Sequence, residues 1–170
     1  MVKTFSGFAG DDGDLLAAFK SITWQVPERV KAARKITARQ EAQARANLKK
    51  ATLHHLQKAT LRLGDAAGVV SEAKLFPTRK QREAMYEALG QADRHLELVL
   101  LATRPEVASG AGRFRQMISA YRHEISKMMH DLQGTKLKLP ANWRRQKPKM
   151  QSSIGAIMRR SWALRKYVEG

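Results

Sequence analysis

The chain has 170 residues, a formal net charge of +17, a hydrophobic fraction of 43% and no cysteine. The absence of cysteine excludes a disulfide framework and thiolate chemistry, and the ordinary hydrophobic fraction excludes a disordered basic tail. No apolar run approaches the roughly 18 residues that a membrane-spanning helix needs, so we expect no membrane span.

The positive charge is concentrated in two segments. Residues 27–63 carry ten basic and two acidic residues, and residues 136–168 carry ten basic residues and no acidic one. Between these segments, residues 64–135 are nearly balanced, with ten basic and nine acidic residues. Charge that served only solubility would be more evenly spread, so the pattern favours a polyanionic partner, above all nucleic acid.

The N-terminal part predicts an arm followed by a long helix. Residues 1–26 are expected to form the arm, with a short helix that docks either on its own bundle or on another subunit. Residues 27–63 have no Gly or Pro after Pro27 and are rich in Ala, Gln, Arg and Lys, which predicts one long basic helix. Gly64 is expected to end it. Leucines at helical spacing from Leu48 onward place the second half in the core, whereas the half up to Asn47 projects or faces a partner.

The rest of the chain predicts a helical bundle. Apolar residues at helical spacing indicate a core hairpin of helices at 78–103 and 112–133. Two prolines favour an extended basic linker at 135–149, with a possible short strand at 136–139, and a last helix is expected at 152–168. The predicted fold is therefore all-α: one domain from 27 to 170 with about four principal helices, a long basic first helix and the N-terminal arm.

Motifs for catalysis or cofactor binding are weak in this sequence. There is no phosphate-binding loop, the GxG at 110–112 follows no strand pattern, and none of the five histidines belongs to a metalloprotease or di-iron motif. His123 and His130 could share a helical face, but surface histidines are the simpler interpretation. We expect no enzyme activity, no cofactor and no metal site.

The candidate functional residues are the basic side chains of the two charged segments. On the predicted long helix, several of them fall within about one third of the helix circumference. On the linker, Trp143 either stacks on a base or covers the end of the bundle. The predicted nucleic-acid-binding residues are Arg29, Lys31, Arg34, Lys35, Arg39, Arg45, Lys49, Lys50, Arg144, Arg145, Lys147 and Lys149.

This pattern favours contact with the phosphate backbone over reading of bases. Basic residues separated by alanines suit the charge and shape of a duplex, and no zinc finger, homeodomain-like helix or RNA-binding aromatic signature is present. We interpret the chain as a structural protein that packages duplex DNA without sequence preference and assembles in many copies. Two alternatives remain open: a dimeric regulator or nucleoid-type DNA-binding protein, and an RNA-binding or ribosome-associated protein.

The predicted architecture and charge resemble a family of viral proteins. The arm at 1–26, the basic helix at 27–63 and the bundle from 48 to 132 are similar to the α-helical coat proteins of filamentous and rod-shaped archaeal viruses with double-stranded DNA. The resemblance implies wrapping of duplex DNA, self-association or pairing with a related coat subunit, and location in the virion; the alternatives imply the cytoplasm or nucleoid. It rests on no motif matched residue by residue, so it transfers no site residue.

Overall fold

The computed structural model describes residues 14–134 and 140–169, and its all-α class is as predicted. The described part holds six helices, where the sequence predicted about four principal ones, and two short strands. The elements are α1 (Asp14–Lys20), β1 (Thr23–Trp24), α2 (Glu28–Arg34), α3 (Ala38–Glu72), α4 (Arg79–Ala102), β2 (Ala108–Ser109), α5 (Gly112–Gln133) and α6 (Pro140–Glu169). The strands pair antiparallel, with Thr23 opposite Ser109 and Trp24 opposite Ala108.

Helix α3 is the central element of the bundle. It packs against α4 on one side and against α6 on the other, and α5 packs against α4. The apolar stripes predicted for the core hairpin are buried, including Met85 and Leu96 on α4 and Phe114 and Ile125 on α5. The helical periodicity of the hairpin therefore identified the faces that meet in the core.

Helix α1 closes the bundle by packing against α5 and α6. Leu15 and Phe19 are buried, and the Phe19 ring lies 5.5 Å from the Phe114 ring, centroid to centroid. The Asp14 carboxylate forms an ion pair with the Arg113 guanidinium, with Oδ1 and Nη2 3.2 Å apart. Of the two docking modes expected for the arm, residues 14–26 follow the first and pack on their own bundle; residues 1–13 lie outside the described residues.

The prediction of a long basic helix at 27–63, which left open whether that helix is continuous, is wrong, because two helices replace it. Helix α2 ends at Arg34, Lys35 adopts a left-handed conformation with φ 46°, and α3 begins after Thr37. The Thr37 hydroxyl accepts from the Gln40 backbone N–H at 3.3 Å, and the Gln40 side chain accepts from the Thr37 N–H at 2.9 Å. This capping box satisfies N–H groups at a new helix start, which makes a break at this point favourable.

The prediction that Gly64 ends the helix is also wrong, because α3 continues to Glu72. The buried stripe does not stop at Gly64: Leu63, Ala66 and Val70 are all at most 1% exposed. A glycine inside a helix costs only about 1 kcal/mol relative to alanine, whereas burying a Val or Leu side chain contributes about 1.5–3 kcal/mol. The connection to α4 is therefore limited to residues 73–78.

The prediction of an extended linker at 135–149 is wrong for residues 140–149, which are helical. Residues 140–149 belong to α6, which also includes the helix predicted at 152–168; residues 135–139, with the possible strand, lie outside the described residues. Pro148 lies inside α6 on its exposed side, so water can reach the backbone carbonyl that loses its hydrogen bond there. Trp143 and Met150, on either side of this proline, are at most 2% exposed, and their burial stabilises the helix across it.

Candidate nucleic-acid interface

The N-terminal end of α3 extends past the helix beside it. Helices α3 and α4 run antiparallel, and the Nδ1 atoms of His55 and His95 lie 3.4 Å apart across them. Helix α4 ends at Ala102, seven residues after His95, and Leu48 lies seven residues before His55, so residues 38–47 extend about 15 Å beyond α4. We call residues 28–47, which comprise α2 and this extension, the protrusion. No residue of the protrusion is buried.

Ion pairs hold the two parts of the protrusion together. The Lys31 ammonium on α2 lies 2.8 Å from Glu28 and 3.0 Å from Glu41 on α3, and Arg45 also pairs with Glu41. Hydrogen bonds to Glu28 and then Glu41 raise the pKa of Lys31, and hydrogen bonds from Lys31 and then Arg45 lower the pKa of Glu41. Lys31 and Arg45, both predicted phosphate contacts, therefore already have carboxylate partners.

Four of the other predicted cations of this segment have no carboxylate partner among the described residues. Arg29 differs from them, because it lies 3.9 Å from the exposed carboxylate of Glu106. Lys49 is half-buried. The four are Arg34, Lys35, Arg39 and Lys50, whose side chains are exposed and form no ion pair within residues 14–134 and 140–169. These four can approach a phosphate without first breaking an ion pair to a described carboxylate.

The second predicted set lies on the first turns of α6, where Lys147 and the neighbouring Trp143 face the bundle. Trp143 is fully buried, and its Nε1 donates to the Ala73 carbonyl at 3.2 Å. The Lys147 ammonium donates to the carbonyls of Ser71 and Ala73 at 3.2 and 2.9 Å, where it caps the C-terminal end of α3. Of the two roles predicted for Trp143, the structure therefore shows the second, in which it covers the end of the bundle. Lys147 joins α6 to α3.

The two predicted sets lie at opposite ends of the molecule. Ala73 marks the end at which α6 begins, and at 1.5 Å per residue it lies about 35 Å along α3 from Lys50 and about 50 Å from Arg39. Arg144, Arg145 and Lys149 are exposed at the Ala73 end. The structure therefore does not gather the predicted residues into one compact patch.

The two basic segments nevertheless pack side by side. Helices α3 and α6 are neighbours, and a Cβ placed on Gly64 would lie 3.6 Å from the Met158 Cε. Residues 42–64 and 140–168 contain no acidic residue. The acidic side chains of the bundle lie mainly on α4 and α5, at Glu83, Glu87, Asp93, Glu97, Glu124 and Asp131. The side of the bundle formed by α3 and α6 is therefore more cationic than the side formed by α4 and α5, although α3 also carries exposed carboxylates at Asp65 and Glu72.

Sequence reasoning left out one cation that belongs with this set. Arg159 is exposed on α6, and helical spacing places it on the same side of the helix as Arg144 and Arg145. The spacing of 144, 148, 152, 155 and 159 contains this signal, but it is visible only if the helix is allowed to continue through Pro148. The prediction of an extended linker concealed it.

Two negative findings apply to the described residues. No helix among them combines the length and apolar character needed to cross a membrane. No three His, Asp or Glu side chains in residues 14–134 and 140–169 are placed to hold a metal ion together. The expectation that the protein has no enzyme activity is untouched by either finding and stays a prediction.

Comparisons with known proteins add no homologue to this description. A scan against protein-family models found no matching family, and searches of curated proteins and of solved structures found no match. The interpretation of the chain therefore depends on its own residues and their placement.

Proposed function

We propose that the protein binds the phosphate backbone of duplex DNA without sequence preference and packages it as a structural protein in many copies. The observation that carries the proposal is the cationic side of the bundle, formed by α3 and α6, from which the protrusion extends. Its exposed cations Arg34, Lys35, Arg39 and Lys50 have no ion pair among the described residues. Binding to a polyanion gains free energy when such cations displace condensed counterions.

Assembly into a coat or nucleocapsid is part of the same proposal. The resemblance to coat proteins of filamentous and rod-shaped archaeal viruses supports it, since those proteins also combine a helical bundle with a basic helix. A structural DNA-packaging role needs affinity for any sequence, and phosphate contacts carry no sequence information of their own. A location in the virion follows if this proposal is right.

A variant that lacks the four unpaired cations tests the binding surface. This protrusion variant combines Arg34→Gln, Lys35→Asn and Arg39→Gln with Lys50→Gln, which lies three residues beyond the protrusion on α3. Asn is used at 35 because it tolerates the left-handed backbone there. We expect weaker binding to unrelated duplexes by the same factor, because each cation contacts phosphate. The slope of log affinity against log salt should fall by up to about 3.6, at about 0.9 per phosphate contact.

A matched control separates a binding surface from general charge. The control variant exchanges Lys80, Arg94, Arg104 and Lys127 for Gln, which removes the same charge from exposed positions on α4, on the loop after it and on α5. It should bind like the wild type. Equal loss in both variants, or no loss in either, would show that the protrusion is not the binding surface.

Electron microscopy of the protein with and without duplex DNA tests the assembly. Regular filaments on DNA of any sequence support packaging. Discrete complexes at particular sequences would instead identify a regulator, and tighter binding to RNA duplexes or single strands would identify an RNA-binding protein.

A further inference from the structure

The outer face of α6 carries a row of cations along the length of the bundle. Arg144, Arg145, Lys149 and Arg159 are all exposed, and at 100° per residue they fall within an arc of about 140°. The opposite arc of α6 holds buried apolar side chains, among them Trp143, Met150, Ile154 and Ile157. The row therefore lies on the side of α6 that faces away from the core.

The row on α6 leads toward the protrusion. Lys147 contacts the end of α3 at Ser71 and Ala73, and Met158 approaches Gly64, so α6 runs antiparallel to α3. Arg159 is therefore displaced by about 22 Å from Arg144 in the direction of the protrusion. Cations thus occur at intervals along one axis, from Arg144 at one end to Arg39 about 50 Å away at the other.

We infer that one straight duplex lies lengthwise against this side of the molecule and contacts the α6 row and the protrusion together. This inference rests on the proposed function and specifies its substrate: a continuous duplex of at least about 15 base pairs, at about 3.4 Å per base pair. A duplex is stiff over this distance, because its persistence length is about 150 base pairs. It can reach both cation sets only if it is parallel to α3 and α6.

The rest of the bundle surface favours this orientation. A duplex laid along α4 and α5 would meet exposed carboxylates such as Glu83, Glu87 and Glu97. The α6 row faces no such repulsion from its own helix, since residues 140–168 contain no acidic residue. Ser152, Gly155 and Ala156, which lie between Lys149 and Arg159, are small enough to let a sugar–phosphate backbone approach closely.

Duplexes of two lengths test the inference. The α6 variant combines Arg144→Gln, Arg145→Gln, Lys149→Gln and Arg159→Gln, and it is compared with the α4–α5 control variant on duplexes of about 8 and about 20 base pairs. On the long duplex, the salt slope of the α6 variant should be smaller than that of the control by up to about 3.6. The short duplex can bind at the protrusion alone. On it, the salt slopes of the two variants should differ by less than about 0.9, the value for one phosphate contact.

Three results would overturn the inference. The first is an equal salt slope for the α6 and control variants on the long duplex. The second is an equal loss on both lengths, which would mean that the row is not a separate part of the contact. The third result concerns capture of a second, free duplex by protein bound to DNA-coated beads. If the α6 variant keeps the wild-type salt slope but loses this capture, the row bridges two duplexes instead of contacting one.

The design distinguishes this inference from the proposed function. If the protrusion variant loses binding and the α6 variant does not, only the lengthwise orientation is wrong. If the protrusion variant binds both lengths like the wild type, the proposed function itself is wrong. Circular dichroism checks that each variant is folded; if the fourfold α6 variant is not, Arg145→Gln and Arg159→Gln alone should each lower the long-duplex slope by about 0.9.

Discussion

His55 on α3 and His95 on α4 meet through their ring edges in the interface between these two helices. The Nδ1 atoms are 3.4 Å apart and the ring centroids 5.7 Å apart, so the rings approach through these nitrogens. One Nδ1–H can donate to the other Nδ1 only while at least one ring is neutral. The pair therefore links the two helices in a manner that depends on protonation.

Burial sets the direction in which this pair titrates. Burial first, and then the neighbouring His54, lower the pKa of His55 from its ordinary value of 6.5. Burial also lowers the pKa of His95, followed by the positive charges of His55, Arg62, His54 and Lys58. Because both histidines bind protons less readily in the folded protein than in the unfolded chain, folding stability from this source is complete above pH 6.5 and decreases below it.

We predict that acid weakens the wild-type protein more than a variant without the pair. Urea unfolding of the wild type and of the double variant His55→Gln/His95→Gln should be compared from pH 8 to pH 5. The free energy of unfolding of the wild type should fall more steeply below pH 6.5, since only the wild type must protonate or separate the two rings. Parallel pH profiles for the two proteins would contradict the prediction.

The two capping boxes show how the same local motif has different consequences in different elements. Thr37 begins α3 and Thr78 begins α4, and each makes the same reciprocal bonds with a Gln three residues later. Helix α4 has a buried residue, Met85, in its second turn, whereas the first buried residue of α3 is Thr52. Thr78 therefore starts a core helix, and Thr37 starts the projecting part of α3.

We predict that Thr78→Ala lowers global stability and that Thr37→Ala does not. Loss of a threonine cap typically costs about 1 kcal/mol, and at Thr78 this cost should appear in the urea unfolding midpoint because α4 unfolds with the core. At Thr37 it should appear as faster amide hydrogen exchange over residues 38–47, with an unchanged midpoint. A lower midpoint for Thr37→Ala would show that the protrusion unfolds together with the bundle.

The net charge acts on the whole molecule in two opposite ways. A charge of +17 destabilises the compact state by self-repulsion, and it also attracts a polyanion. Added salt screens both interactions, since the Debye length falls from about 10 Å at 0.1 M to about 3 Å at 1 M. The stability of the free protein and its affinity for DNA should therefore respond to salt with opposite signs.

We predict that potassium chloride raises the thermal unfolding midpoint of the free protein and lowers its affinity for duplex DNA over the same concentration range. Thermal unfolding followed by circular dichroism and a fluorescence binding titration give the two measurements. The exposed ion pairs, such as Arg79–Glu83, are worth too little to reverse the effect on stability. A midpoint that falls with potassium chloride would show that these pairs outweigh the repulsion.

Local sequence patterns are sufficient to predict the all-α class and the core hairpin. Helical periodicity identifies the buried faces of 78–103 and 112–133 because it reports which side of a helix is apolar, and that property is local. Residue composition likewise identified the two cationic segments without any structure. These features need no knowledge of which segments become neighbours.

The helix boundaries and the grouping of the cations became clear only from the folded chain. At Thr37 a local capping box competes with a helix-favouring composition. At Gly64 and Pro148 burial on both sides outweighs the helix-breaking residue, and that outcome depends on packing partners distant in sequence. Packing between helices pairs Lys31 with Glu41 and turns Lys147 toward α3, and the continuity of α6 through Pro148 aligns Arg159 with Arg144. Composition counts charges, but only the fold determines which of them remain accessible to a partner.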